Sequence, residues 1–365
     1  MLTEIRFQNF KCFEELHLPL GQLTLLTGLN SSGKSTVLQS MLLLRQSFLQ
    51  QALPNKTVLL NGPLVNLGTA REVLCRNAGK DDLIRIEIKT ELNDYVWTFR
   101  YGNREDDFLK VSDVQDSGPC LPLFGQGFKY VSAERLGPRG FHEQSSYHVK
   151  QQHQLGPDGR YAVAYLDEYS RETVTPQMHH PLAKGGDLRN EVSAWLGEVS
   201  PRVHLNTTAI SGLNATRLEF GFANEPVESS PPNVGFGLSY CLPVLIATLS
   251  ARPSDLIIIE NPEAHLHPRA QVVLGDLMCK AASTGAQVFV ETHSDHFLNG
   301  VRLATKSGVL DWDKIAIHFF NSRVESGELI HEVQSPTIDK DGRLDKWPCG
   351  FFDEWERSLD RLLDL

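Results

Sequence analysis

The chain has 365 residues, is 41% hydrophobic and 22% charged, and carries a formal net charge of −10, the profile of a globular protein with material for one large domain or two ordinary ones. That acidity argues against a broadly basic surface that coats nucleic acid, while leaving room for a local basic groove. No apolar run approaches the roughly 20 residues that span a bilayer. Glu4 and Arg6 inside the opening alternation are foreign to a signal peptide, so a cytoplasmic chain with no membrane partner is expected. The six cysteines, Cys12, Cys75, Cys120, Cys241, Cys279 and Cys349, show no paired spacing and read as small buried residues.

Leu2 to Phe7 and Leu16 to Leu20 alternate as strands, and Leu23 to Leu26 is a short apolar strand. Directly after it comes Gly28-Leu29-Asn30-Ser31-Ser32-Gly33-Lys34-Ser35-Thr36, a Gly-x-x-x-x-Gly-Lys-Ser loop, followed by an apolar-periodic helix over Val37 to Leu49. Strand, glycine loop and helix is the context of a phosphate cradle. Gly28 and Gly33 let successive N–H groups turn inward, Lys34 supplies a point charge, Ser35 offers a hydroxyl to Mg²⁺, and the helix adds its positive end.

Beyond it, Leu83 to Lys89 and Tyr95 to Tyr101 predict an antiparallel pair, and Phe128 to Ser132 predicts another strand. Arg135 and Arg139 flank a Gly-Pro turn and are candidates to reach phosphate or a neighbouring subunit. From Gly140 to Lys184 the periodicity dissolves into Gly, Pro, Gln, Tyr and the histidines His142, His148, His153, His179 and His180. Their spacing fits no compact ligand set, so a polar insertion or lid over about 140–204 is expected. A helix over Leu188 to Leu196 and strands over Val203 to Thr208 and Thr216 to Phe222 follow.

Gly235-Phe236-Gly237-Leu238-Ser239 is a glycine-rich turn that opens into an apolar helix, Tyr240 to Leu249. Leu256 to Glu260 is a β-branched run with a carboxylate at its carboxyl end, where ligands of open α/β sheets sit. Gln287 to His293 is a second such strand.

The hairpin feeding a P-loop, the turn at Ser239, the acid at Glu260 with Asn261-Pro262-Glu263-Ala264-His265-Leu266-His267-Pro268, and Glu291-Thr292-His293-Ser294-Asp295-His296 together resemble the ATPase heads of the RecF, SMC and OLD (overcoming-lysogenisation-defect) groups, within the ABC class of AAA family ATPases. The resemblance implies an α/β fold: an ABC-type P-loop NTPase head with a RecA-like mixed sheet, an antiparallel β-subdomain and no coiled-coil arm. It implies a core over 1–139 and 205–335, with 336–365 as a C-terminal helical segment. It also implies ATP and Mg²⁺ as cofactors. Gly28, Asn30, Ser31, Ser32, Gly33, Lys34, Ser35 and Thr36 would bind nucleotide, Ser35 and Glu260 would hold the metal, and His293 would sense the γ-phosphate. Gly235, Gly237 and Ser239 would press on ATP held by a second copy, which makes a homodimer. Heads of this class place a glutamate after the metal-supporting acid. Here Asn261 stands there, an amide that orients water without accepting its proton, so either Glu263, two residues on, takes over as base, or turnover is slow and ATP acts chiefly as a dimerising ligand; slow hydrolysis is expected.

The stretch after His293 leaves no room for the Toprim nuclease domain of OLD proteins, so a separate effector, a nuclease, is the expected partner. Phe352, Trp355, Leu359 and Leu362 share one helical face in the last segment, either packed on the chain's own core or offered to a partner. Relatives of the Septu type act in antiphage defence, which implies such a role here. A RecF-like sensor or clamp on DNA ends, with incidental hydrolysis, is the alternative.

Overall fold

The strands of the first half form where alternating side chains give a sheet one apolar and one charged face. In this computed structural model, residues 1–365 are described apart from 80–82, 101, 116, 117, 119, 223–226, 326, 349, 353–357, 360, 364 and 365. The chain divides into two compact units, Met1–Gly125 with Ile315–Thr337 and Leu344–Leu365, and Gln126–Lys314 with Ile338–Arg343.

The first unit is built on β1 (Leu2–Phe10), β2 (Phe13–Pro19), β3 (Leu23–Gly28), α1 (Lys34–Leu49), β4 (Thr57–Leu59), α2 (Ala70–Val73), β5 (Ile84–Thr90), β6 (Asp94–Arg100) and β7 (Phe108–Gln115). Six of these strands pair in the order β2-β1-β5-β6-β7-β4, every pair antiparallel. Ile5 and Phe7 face Ile88 and Ile86 on the buried side, while Glu4, Arg6, Glu87 and Lys89 share the outer side. The helix α1 is fixed by Arg45, whose buried guanidinium donates to the carbonyls of Leu123 and Gly125.

The second unit carries β8 (Phe128–Val131), β9 (Phe141–Glu143), α3 (Ala162–Glu168), α4 (Leu188–Val199), β10 (Val203–Ile210), β11 (Ala215–Phe222), α5 (Phe236–Leu249), β12 (Leu256–Glu260), α6 (Pro268–Ser283), β13 (Gln287–Glu291) and α7 (Asp295–Lys306). The β-branched run of β12 is buried and pairs in parallel with β8 on one side and β13 on the other. A Cβ on Gly275 would lie 2.3 Å from the Phe297 carbonyl oxygen, and one on Gly300 would lie 2.1 Å from that of Val272, so α6 and α7 touch through glycine. The last strands, β14 (Ile315–Glu325) and β15 (Glu328–Gln334), return to the first unit, where β14 pairs in parallel with β3. The longest helices among the described residues, α1 and α6, have 16 residues each, and no helix there is long and apolar enough to cross a membrane.

Several expectations change at this level. The stretch 140–204 holds two helices, β9 and a π-helical turn over Tyr147–Gln151, and it buries Val149, Val163, Leu166, Met178 and Trp195. Its histidines are spent locally. His148 stacks on Tyr161 and His153 on Tyr169, while His179 bonds the Val174 carbonyl and His180 pairs with Glu198. Cys120 is exposed and Cys12 half-buried, against the expectation of burial, because both lie on connections outside the sheets; Cys349 falls outside the described residues. The same is true of Trp355 in the last segment. Phe351 there is buried against Phe319 and Trp347, whereas Leu359 and Leu362 are exposed.

On the outer face of the first sheet, Glu4 makes ion pairs with Arg6 at 2.5 Å, His17 at 2.6 Å and Lys89 at 3.1 Å. Burial pulls its carboxyl up, but the bonds to His17, Arg6 and Lys89 outweigh that and hold it at about 2, against an ordinary 4.5. A depressed carboxylate stabilises the fold above its unfolded value and loses that contribution as pH falls through its folded value. Urea denaturation of Glu4→Gln is therefore expected to show a deficit at pH 7 that shrinks progressively between pH 4.5 and 2.

Candidate functional site

The loop after β3 has the backbone that an anion cradle requires. Gly28, Ser31 and Gly33 take φ of 136°, 62° and 104°. A Cβ on Gly28 would lie 2.0 Å from the Phe320 carbonyl oxygen of β14, and one on Gly33 would lie 2.6 Å from the Phe13 ring. Glycine is thus demanded twice, once by conformation and once by close approach. The Phe320 carbonyl also accepts the Leu29 N–H at 3.2 Å, and His331 on β15 bonds the Ser32 carbonyl at 3.1 Å through Nδ1. Lys34 is buried, and its ammonium donates to the carbonyls of Gly28 (3.1 Å) and Leu29 (2.6 Å), folded along the loop it serves. The helix α1 begins at Lys34 with no side-chain cap, and the Thr36 N–H is taken by the Gly33 carbonyl at 3.1 Å. Asn30 and Ser31 are exposed, Ser35 is half-buried and Thr36 is buried.

In the second unit the acid of β12 is held from β8. Glu260 accepts the Tyr130 hydroxyl on Oε1 and the Ala133 N–H on Oε2, each at 3.0 Å. Burial pushes its carboxyl upward, against the pull of these donors and of Arg135. Each oxygen keeps a second lone pair for a metal-bound water. Asn261 then turns the chain with φ of 45°. Its N–H donates to the Glu291 carbonyl at 2.7 Å. Glu263 accepts the His293 N–H at 2.7 Å on Oε1, which ties the turn to the end of β13, and burial raises its carboxyl too. The His293 side chain stands at an exposed position.

Three acceptors near these elements, Asn261 Oδ1, Glu263 Oε2 and Ser239 Oγ, are buried without a hydrogen-bond partner. Buried polar atoms are normally satisfied, so this points to water, ion or ligand. The helix α5 starts at Phe236, before the expected Tyr240, so Gly237 and Ser239 lie in its first turns and Gly235 caps it; a Cβ on Gly237 would lie 2.9 Å from the His265 carbonyl oxygen, while one on Gly235 would meet open space.

Residues 1–130 match the family described as AAA ATPase domain. Residues 159–299 match an AAA domain family described with the AbiEii toxin of type IV toxin–antitoxin systems. Both stretches are thus similar to AAA-type ATPase domains. Residues 310–362 match a protein family of unknown function, DUF3696. An OLD nuclease of Thermus scotoductus is 24% identical over 375 residues, which cover 90% of this chain and 68% of the relative. A Smc head bound to the C-winged helix domain of ScpA superposes with a TM-score of 0.51 at 12% identity over 92% of this chain and 98% of that one. A Smc head with an extended coiled coil, bound to the C-terminal domain of ScpA derived from Pyrococcus furiosus, gives 0.52 at 10% identity over 99% of each. The fold is therefore the mixed α/β fold of SMC heads.

One residue departs from its sequence reading, and two were missed by it. Arg135, expected to reach phosphate or a neighbouring subunit, is 4% exposed and donates to main-chain carbonyls of its own unit. Arg139 is exposed. Tyr130 was visible only as one residue of a strand, and His331, far along the chain from Ser32, left no local signal. Alanine at Gly28 combines a disallowed φ with a backbone clash. Thermal denaturation is expected to show a loss of about 2 kcal/mol or more for Gly28→Ala, against about 0.5 kcal/mol or less for Gly235→Ala.

Proposed function

We propose that the chain binds and slowly hydrolyses Mg-ATP, that two copies close around ATP, and that this cycle regulates a separate effector, a nuclease, in bacterial antiphage defence. The observation that carries the hydrolytic part is the set of buried, partnerless acceptors around the turn after β12. They fit an attacking water and a base beside it, and the glycine loop before α1 by itself fits a phosphate group. Bound Mg²⁺ would neutralise charge developing on the phosphates.

In this reading Lys34 and the loop residues Gly28, Asn30, Ser31, Ser32, Gly33, Ser35 and Thr36 bind the phosphates, and Ser35 and Glu260 hold the metal. Asn261 orients a water through its amide oxygen. Glu263 takes the proton on Oε2, since Oε1 is already committed to His293. The upward push on the Glu263 carboxyl makes it a stronger base than an exposed glutamate. The N–H link also ties the Glu263 position to His293, the proposed γ-phosphate sensor. Gly235, Gly237 and Ser239 would act on ATP bound to the other copy. The defence role and the nuclease rest on resemblance to OLD and Septu-type proteins.

Steady-state turnover of the full chain, beside equilibrium ATP binding, tests this. Lys34→Ala is expected to abolish turnover by removing binding. Glu263→Gln is expected to cost about 100-fold in rate with ATP affinity within about 3-fold of the parent, and to accumulate an ATP-dependent dimer in light scattering. A parent that binds ATP tightly without turning it over contradicts the hydrolytic role and leaves ATP as a dimerising ligand. Strong stimulation by duplex DNA supports the sensor reading instead.

A further inference from the structure

Arg135 is a costly residue to bury, and its surroundings show what it does. Its Nη1 donates to the carbonyls of Ser132 at 3.2 Å and Glu260 at 2.8 Å, and its Nη2 donates to that of Asn261 at 2.6 Å. The guanidinium also lies over the Tyr240 ring of α5, 5.6 Å from its centroid. Tyr240 meets His265 edge-on at 4.5 Å, and Phe236, exposed at the start of α5, meets the same imidazole at 5.7 Å. Asn261 and His265 both take left-handed backbone, with φ of 45° and 62°. Such a conformation is uphill for residues with a Cβ, so the turn holds only while its clamps hold. For Asn261 the clamps are the Glu291 carbonyl, which accepts its N–H, and Arg135, which grips its C=O.

We propose that Arg135 is a positioning residue that couples α5 to the hydrolytic turn. Through Tyr240 it reads the seating of α5, and through the carbonyls of Glu260 and Asn261 it fixes where the Asn261 amide and the Glu263 carboxylate stand. The inference rests on the ATP-hydrolysis reading and names how the turn before α5 governs that same site. A guanidinium is suited to the task because it can donate to two consecutive carbonyls while stacking on a ring; an ammonium cannot do both. A shift of α5 that withdraws Tyr240 removes one support of the guanidinium and loosens its grip on the left-handed peptide.

The test uses the full chain as Arg135→Lys, Tyr240→Leu and Tyr240→Phe. Amide hydrogen exchange without nucleotide reads the turn directly, at the N–H groups of Asn261, Ala264 and Leu266, which are bonded within the turn or to β13. Arg135→Lys is expected to speed exchange there about 10-fold or more while α6 and α7 keep parental protection. It is also expected to lower kcat about 10-fold or more with the KM for ATP within about 3-fold. Tyr240→Leu should do the same to a smaller extent, and Tyr240→Phe, which keeps the ring, should restore both. Parental exchange in the turn for Arg135→Lys and Tyr240→Leu overturns the proposal, as does a uniform rise across the unit, which marks a purely structural residue. Exchange decides the coupling even if the parent fails to turn over ATP, a failure that would count against the hydrolytic reading alone.

Discussion

The carbonyl of Phe320 occupies the place where a side chain at residue 28 would have to stand, and the conformation of the proposed phosphate cradle depends on that contact. The parallel pairing of β14 with β3 brings the Phe320 carbonyl beside Gly28 and lets it accept the Leu29 N–H. The loop is thereby pinned at its first turn by backbone alone. His331 pins it again at Ser32, and Phe13 closes the space beside Gly33. A concavity of N–H groups is useful only if it is rigid before the anion arrives, since ordering a glycine loop at binding would cost conformational entropy.

At the other end of the chemistry the constraint is electrostatic. Glu260 ends the buried strand β12 and Glu263 lies in the turn after it, and desolvation disfavours charge on both. The chain answers with donors from one short segment: the Tyr130 hydroxyl, the Ala133 N–H and the Arg135 guanidinium. Acceptors left over, at Asn261 and Glu263, are those the proposed chemistry needs. The neutral amide of Asn261 adds no charge to this cluster, and in the proposed chemistry it orients water without accepting a proton.

Local chemistry was legible in the sequence and long-range chemistry was not. The glycine loop, the β-branched run ending in Glu260 and the alternating strands declared themselves through spacing and period, and they lie where expected. Arg135 was misread because a charged residue beside a Gly-Pro turn is ordinarily solvated. Its burial comes from carbonyls more than a hundred residues along the chain. His331 had no motif to mark it for the same reason. The core of 140–184 was hidden because its buried residues are spread thinly among glycine, proline and histidine, and α3, with seven residues, is too short to show a period; α4 was legible.

Isothermal titration of Mg-ATP into the parent and into Lys34→Ala tests the central claim, that the loop held by Phe320 is a triphosphate site. The account predicts saturable binding at one ATP per chain. Loss of the Lys34 ammonium, a charge-assisted donor, should weaken it about 10-fold to 100-fold. Equal affinity in the two proteins, or no heat of binding in the parent, would contradict it.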